Sequence, residues 1–281
     1  MASIEDLEGT SAAGVLSDAQ FALLEEQLDA HAQAVTSLEG RVAKNASVAA
    51  VIVAGGQGER FGNAGGKQLF RILDKPILTW SAEAYDAIPE VGHIVIVCPE
   101  DRQEQYCAEA IDPYPFATPI TFAAAGSIRQ ESAMNGVEAV DRKFEYIAVH
   151  DGARPVIDSS IVTRAIGMLK GNVEADGVVV GHPSIDTLKV VDDKSIVGTP
   201  DRNMFWVAQT PQIFRSDILR RAYSTAMFEG FVGTDDSSLV ERMGGVVLMV
   251  NGPRDNLKVT VPEDVGPVTA ALMSRLEARG E

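Results

Sequence analysis

Residues 48–68 read VAAVIVAGGQGERFGNAGGKQ. An unbroken apolar run, Val48–Val53, empties into six glycines between Gly55 and Gly66 and ends on Lys67. A short apolar run bounded by glycine is the pattern of a strand buried on both faces. A strand that opens into a glycine-rich loop makes a phosphate cradle. Glycine lets backbone N–H groups turn toward an anion and lets the anion come close. Arg60 and Lys67 add positive charge from inside the loop. Spacing excludes two common versions. A Walker A loop needs Gly five residues before Gly66 and Ser or Thr after the Lys; Phe61 and Gln68 stand there. A dinucleotide fingerprint starts well at Gly56 and Gly58, but its third glycine position is again Phe61.

Working outward, short apolar runs alternate with helical periods. The runs His93–Cys98, Ile120–Ala124, Tyr146–His150, Gly177–Gly181 and Val246–Val250 read as strands. Ile77–Ala87, Arg102–Ala110, Ser127–Val137, Ser159–Leu169 and Asp217–Met227 read as helices. This alternation predicts an α/β fold, a Rossmann-like and mostly parallel sheet flanked by helices. Ligands of such sheets bind beyond the carboxyl ends of the strands. Between Pro183 and Trp206 the rhythm breaks. Ile185–Val191 and Ser195–Thr199 read as two strands joined at Asp192-Asp193-Lys194, a projecting β-hairpin arm over 183–206. Residues 1–47 read as an extension, with eight acidic and two basic residues. Ser17 and Gln20 form a capping-box pattern, and Phe21, Leu24, Leu28, Ala32, Val35 and Leu38 recur at helical spacing. The domain proper runs over 48–281.

Composition narrows the function. The net charge of −16 argues against broad binding to nucleic acid or anionic membrane. An acidic chain with an anionic substrate needs a local basic pocket. No apolar run approaches the roughly 18–20 residues of a membrane span, and the N-terminus lacks a signal-peptide pattern. Cys98 and Cys107 make no disulfide framework, and four scattered histidines have no metal-ligand spacing. The expectation is a cytoplasmic protein whose own residues hold no metal.

Residues just after the strands carry the chemistry. His150-Asp151-Gly152-Ala153-Arg154 offers an Asp for hydroxyls or a magnesium–phosphate group and an Arg for an anion, or else a turn pair. Gly126-Ser127-Ile128-Arg129-Gln130-Glu131-Ser132 offers free N–H groups at a helix start, or an N-cap at Ser127. Thr234-Asp235-Asp236 precedes a helix, with Thr or Asp as its cap. Lys258, on a strand end, is a second candidate phosphate lysine. No nucleophile elbow, catalytic triad or activated cysteine is present in the pattern. Glycines with Lys, Arg, Thr and Asp suit phosphoryl or nucleotidyl transfer, which runs on positioning and charge stabilisation.

Taken in order, AGGQGERFGNAGGKQ, GSIRQES, HDGARP, PSIDTLK, DRNMFWVAQTPQIF, TDDSSLVE and NLKVTVPED resemble the signature of the 2-C-methyl-D-erythritol 4-phosphate cytidylyltransferase family, over about residues 48–277. The resemblance implies a nucleotide-diphospho-sugar transferase type of fold and transfer of a cytidylyl group from CTP to methylerythritol phosphate. It implies that Arg60 and Lys67 grip the triphosphate. Lys67 and Lys258 would neutralise the α-phosphate under attack. Ala54, Gly55, Gly56, Gly58, Gly126, Arg129, Ser132 and Asp151 would line the CTP site. Asp151 would also hold acceptor hydroxyls, with Arg154 and Thr210 in the acceptor set. The arm would embrace a second subunit, so that Thr187 and Arg202 bind the acceptor phosphate in the neighbour's site of a homodimer. Magnesium would be held mainly by the CTP phosphates. Gly152 departs from the pattern, since many relatives carry Ala there. Two alternatives stand beside this: a ribitol 5-phosphate cytidylyltransferase, which shares the CTP site, and a non-catalytic nucleotide-binding protein. The PSIDTLK and NLKVT segments favour methylerythritol phosphate over ribitol phosphate, and the retained Lys67 and Lys258 favour a working enzyme.

Overall fold

β1 (Val48–Val53) lies inside the sheet with a strand on either side, which explains its lack of polar residues. It pairs in parallel with β4 (Val91–Cys98) on one side and β6 (Tyr146–Asp151) on the other. A computed structural model describes residues 46–56, 58, 61–62 and 66–280 of the chain. The amphipathic helix expected within residues 1–47 lies outside them. Two short strands, β2 (Arg71–Ile72) and β3 (Lys75–Pro76), form a separate ribbon. The main sheet adds β5 (Ile120–Ala124), β7 (Gly177–Pro183), β10 (Trp206–Arg215) and β11 (Val247–Asn251). Its order is β11-β7-β10-β6-β1-β4-β5. β10 alone among these runs antiparallel, to both β6 and β7. The strand order reverses at β1, so β4 and β6 leave it on opposite sides. The carboxyl ends of β1 and β6 therefore flank a switch point where a ligand cleft forms.

Alternate residues of β1 face two cores. Val48, Ala50 and Ile52 pack with Leu78, Ala82 and Tyr85 of α1 (Ile77–Asp86) and with α4 (Ser159–Lys170). Ala49 and Val51 pack with Ala133 and Val137 of α3 (Arg129–Ala139), with α5 (Ser216–Glu229) and with α6 (Asp236–Arg242). A third, smaller cluster joins Phe61, Ile72, Ile77, Val156 and Val259 to α7 (Val265–Arg279). Phe61 stands where a dinucleotide fingerprint needs Gly. It is buried and meets Phe70 edge-on at 5.3 Å, so it pins the glycine loop to the body of the domain.

Several elements differ from expectation. The helix expected over 102–110 is a short helix, α2 (Gln103–Tyr106), followed by a wide π-type turn, Cys107–Ile111. The first arm strand is only β8 (Val190–Asp192), paired with β9 (Ser195–Gly198). Residues 184–189 find no ladder partner. The turn between these strands holds Asp193 and Lys194 at positive φ, as a tight hairpin requires. The last sheet pair before the arm is Pro183 with Trp206. Lys258 lies on an irregular stretch rather than a strand, joined to the domain by Val259 N–H donating to the Ala153 carbonyl at 2.8 Å.

Candidate active site

The carboxyl ends of β1 and β6, the turn after β5 and the segment before α7 enclose a cavity of about 620 Å³. Its lining includes Gly55, Gly56, Gly58, Lys67, Gly126, Arg129, Ser132, Asp151 and Lys258. Sequence positions 55 and 258 thus share one cleft. Two glycines are there for close approach. A Cβ on Gly55 would lie 2.4 Å from that of Ala125, and one on Gly126 would lie 2.3 Å from that of Glu131. The loops after β1 and β5 could not meet so closely with larger residues.

Asp151 is the electrostatic centre. Lys258 Nζ donates to its Oδ2 at 2.6 Å and Arg129 Nε to its Oδ1 at 3.2 Å. Arg154 Nε lies 3.8 Å from Oδ2. Burial alone would raise this carboxyl, but Arg129, Lys258 and Arg154 hold it well below the usual range. Both oxygens of Asp151 are therefore engaged by cations. Lys67 Nζ donates to the Val259 carbonyl at 2.9 Å, which ties the glycine loop to the Lys258 segment. Arg154 donates to the Asn256 carbonyl at 2.7 Å and braces the same segment from below.

Beneath Asp151 runs a buried relay. The Asp151 N–H donates to Thr210 Oγ1 at 3.0 Å, and Thr210 Oγ1 lies 3.1 Å from His150 Nδ1. The other ring nitrogen, Nε2, faces the Arg154 carbonyl at 3.3 Å. A carbonyl only accepts, so Nε2 carries the proton, and Nδ1 accepts from the threonine hydroxyl. Burial pushes His150 down to about 3, with Arg154 and Lys258 adding to the effect against the opposing charge of Asp151. The imidazole is neutral and structural.

The structure thus brings Lys67, Lys258, Asp151, Arg129, Ser132, Gly126 and the glycines Gly55, Gly56 and Gly58 together. Ala54 is fully buried behind them. Thr210 sits beneath the cavity and orients Asp151, since its hydroxyl is occupied by the relay. Thr187 and Arg202 lie on the exposed arm and do not line this cavity. Arg202 donates to the Ile185 carbonyl at 3.1 Å. Arg60 lies outside the described residues. Ser127 does not cap α3. Its N–H and hydroxyl both donate to Glu131, and Ile128 occupies the cap position. Ser132 instead accepts from the Gly126 N–H at 3.0 Å. The cap of α6 is Asp235, which accepts from Ser238 N–H.

Sequence reading missed several contributors, among them three polar ones. Gln68 and Thr260 line the cavity; each sat in a quoted motif but carried no charge to draw notice. Asp236 was legible only as part of a helix start. It is 1% exposed and takes both terminal nitrogens of Arg129, at 3.1 and 2.9 Å. No spacing signal predicts a pair 107 residues apart.

Residues 48–274 match the family model described as IspD, 2-C-methyl-D-erythritol 4-phosphate cytidylyltransferase. The chain belongs to this family. It is accordingly a nucleotidyltransferase of the cytidylyl-transferring kind. A 2-C-methyl-D-erythritol 4-phosphate cytidylyltransferase of Caldanaerobacter subterraneus is 40% identical over 231 residues, covering 82% of this chain and 99% of its own. One from Syntrophotalea carbinolica is 37% identical over 220 residues, covering 78% of this chain and 93% of its own. The crystal structure of 4-diphosphocytidyl-2C-methyl-D-erythritol synthase from Anaerococcus prevotii superposes with a TM-score of 0.72 at 25% identity. It covers 82% of this chain and all of that one. The fold matches the mostly parallel α/β sheet expected of the family.

Proposed function

We propose that the cavity at the β1–β6 switch point is where this family member transfers the cytidylyl group of CTP. The acceptor is 2-C-methyl-D-erythritol 4-phosphate, and the products are 4-CDP-2-C-methyl-D-erythritol and pyrophosphate, in isoprenoid precursor synthesis by the non-mevalonate route. An oxygen of the acceptor phosphate attacks the α-phosphorus. The bond from that phosphorus to the bridging oxygen breaks, and pyrophosphate leaves with the electron pair. The nucleophile is already ionised, so the site needs no strong general base. Repulsion between anions is the barrier, and fixed cations lower it. Lys67 and Lys258 act on the phosphates, together with Arg60 in the glycine loop. Gly126 and Ser132 border the nucleoside, and Asp151 accepts from hydroxyl groups. The observation that carries this reading is that Lys67, Lys258 and Asp151, distant in sequence, line one cavity with the glycine loop.

Among the described residues no group of three or more His, Cys, Asp or Glu is placed to hold a metal ion. Asp151 has both oxygens engaged by Arg129 and Lys258. That donor set fits a magnesium ion carried in on the CTP phosphates, where it would neutralise charge on the leaving pyrophosphate. The arm supports a homodimer. Val191, Ile196, Val197 and Met204 are 55–81% exposed there, a high apolar exposure for a two-stranded ribbon. In that dimer Thr187 and Arg202 reach the partner's acceptor. No helix among the described residues is long and apolar enough to cross a membrane, which is compatible with a cytoplasmic enzyme.

The deciving assay for the acceptor is pyrophosphate release from CTP and magnesium with methylerythritol phosphate and, separately, ribitol 5-phosphate. Turnover is expected with the first. Preference for ribitol phosphate, or CTP binding with no turnover on either, would overturn the assignment.

A further inference from the structure

Asp236 and Tyr223 lie outside the cavity lining, both 1% exposed, and connect to it through Arg129. The Tyr223 hydroxyl donates to Asp236 Oδ1 at 2.5 Å. Asp236 in turn takes the two terminal nitrogens of Arg129 in a fork. The remaining nitrogen of that guanidinium, Nε, donates to Asp151, whose second oxygen holds Lys258. One chain of contacts thus runs Tyr223–Asp236–Arg129–Asp151–Lys258. It starts in the core between α5 and α6 and ends on a candidate catalytic lysine.

The anchor is rigid. Gln212 of β10 donates to Asp235 Oδ2 and accepts from Ser237 N–H, so the first turn of α6 is stapled to the sheet on either side of Asp236. Asp236 in that first turn also gains from the helix dipole. Arg129 has the opposite character. Its side chain is 30% exposed and sits at the open start of α3. A long side chain there loses rotamer freedom only if something fixes its far end. A bidentate carboxylate does that better than a single contact, because it sets the plane of the guanidinium as well as its position.

We propose that Asp236, seated by Tyr223, is a positioning residue that fixes the plane of Arg129 and through it the carboxylate of Asp151 and the ammonium of Lys258. This rests on the reading of Arg129, Asp151 and Lys258 as site residues. Asp236 touches no substrate. Its effect on cytidylyl transfer passes through Arg129, so it vanishes when Arg129 is gone.

A double-mutant cycle on the full chain tests this. Asp236→Asn, Arg129→Gln and the pair are compared for kcat, for KM of CTP and of methylerythritol phosphate, and for thermal unfolding midpoint. Asp236→Asn is expected to lower kcat by about 10- to 100-fold, the scale of a misplaced catalytic group. In the Arg129→Gln background it is expected to change kcat less than about threefold, since coupled residues are not additive. A fully additive loss, or wild-type kcat in Asp236→Asn, overturns the proposal. Tyr223→Phe removes only the hydroxyl and covers the case where Asp236→Asn fails to fold. It is expected to lower kcat a few-fold, and only while Arg129 is present; wild-type kcat there overturns the proposal too. If Arg129→Gln and Asp151→Asn themselves turn over normally, the site reading falls with it. If they are impaired while Asp236 and Tyr223 variants are not, only this inference falls.

Discussion

Lys67 and Lys258 carry equal charge but do unequal structural work. Lys258 is salt-bridged to Asp151 at 2.6 Å and is 38% exposed toward the cavity. Lys67 donates to the Val259 carbonyl at 2.9 Å, which places its ammonium beside the Lys258 segment. On the proposed mechanism, removing either cation takes away stabilisation that matters most when negative charge gathers at the α-phosphorus. Lys67→Ala or Lys258→Ala is expected to lower kcat by about 10²- to 10³-fold, the loss of one preorganised transition-state contact of ~3–4 kcal/mol. The folded baseline by circular dichroism should survive in both. Turnover near wild type in either variant would remove that lysine from the mechanism. The two variants should differ at Asp151. Without Lys258 its carboxyl is held down by Arg129 and Arg154 alone and climbs toward the ordinary range.

At the scale of elements, the arm is where local sequence and tertiary structure part. Thr187 and Arg202 lie on it, outside the lining of the cavity. Arg202 heads a short turn, Arg202–Met204, and is free to meet an anion with the nitrogens not spent on Ile185. Arg202→Ala is expected to raise KM for the acceptor phosphate about tenfold or more, as loss of a charge-assisted contact of ~1.5–3 kcal/mol would, with KM for CTP little changed. Equal effects on both substrates, or none, would remove the arm from acceptor binding. Six of the seven main-sheet strands were legible to within about two residues because burial on both faces writes an apolar run. β10 was missed, since Gln209, Thr210, Pro211 and Gln212 break its apolar pattern. The start of the arm was not. Ile185–Val191 alternates like a strand, but a ladder needs a facing strand, and residues opposite turn off at Arg202–Met204. The helix expected over 102–110 failed at Cys107, where the backbone widens to a π-type turn that periodicity cannot register. In the site, motif residues at strand ends were readable because topology gathers strand ends. The contacts Arg129–Asp236, Lys67–Val259 and Thr210–His150 were not, since each depends on which helix or strand lies beside which.

For the whole molecule, a chain of net charge −16 concentrates Lys67, Arg129, Arg154 and Lys258 around one buried carboxylate, and the stability of that arrangement depends on pH through His150. The imidazole is buried and neutral, and its folded value is near 3, below the usual 6.5. Between those two values the unfolded chain binds a proton that the folded chain does not. Stability therefore rises with pH across this window and is lost as pH falls from about 6.5. Asp151 adds to the slope only in the acidic part of this window, below about pH 5. Its folded value lies below the ordinary carboxylate range, so its own stabilisation is lost only as pH falls through and below that range. A shift of this size corresponds to a few kcal/mol in total, at ~1.4 kcal/mol per unit. Urea unfolding at pH 7.5, 6 and 5 should show wild-type stability falling as pH drops. His150→Gln can still donate to the Arg154 carbonyl but cannot titrate. It should start less stable at pH 7.5 and lose less on acidification, so the gap between the two proteins narrows toward pH 5. Parallel curves across that range would mean that His150 is not held neutral, and the relay from Arg154 through His150 and Thr210 to Asp151 would lose its basis.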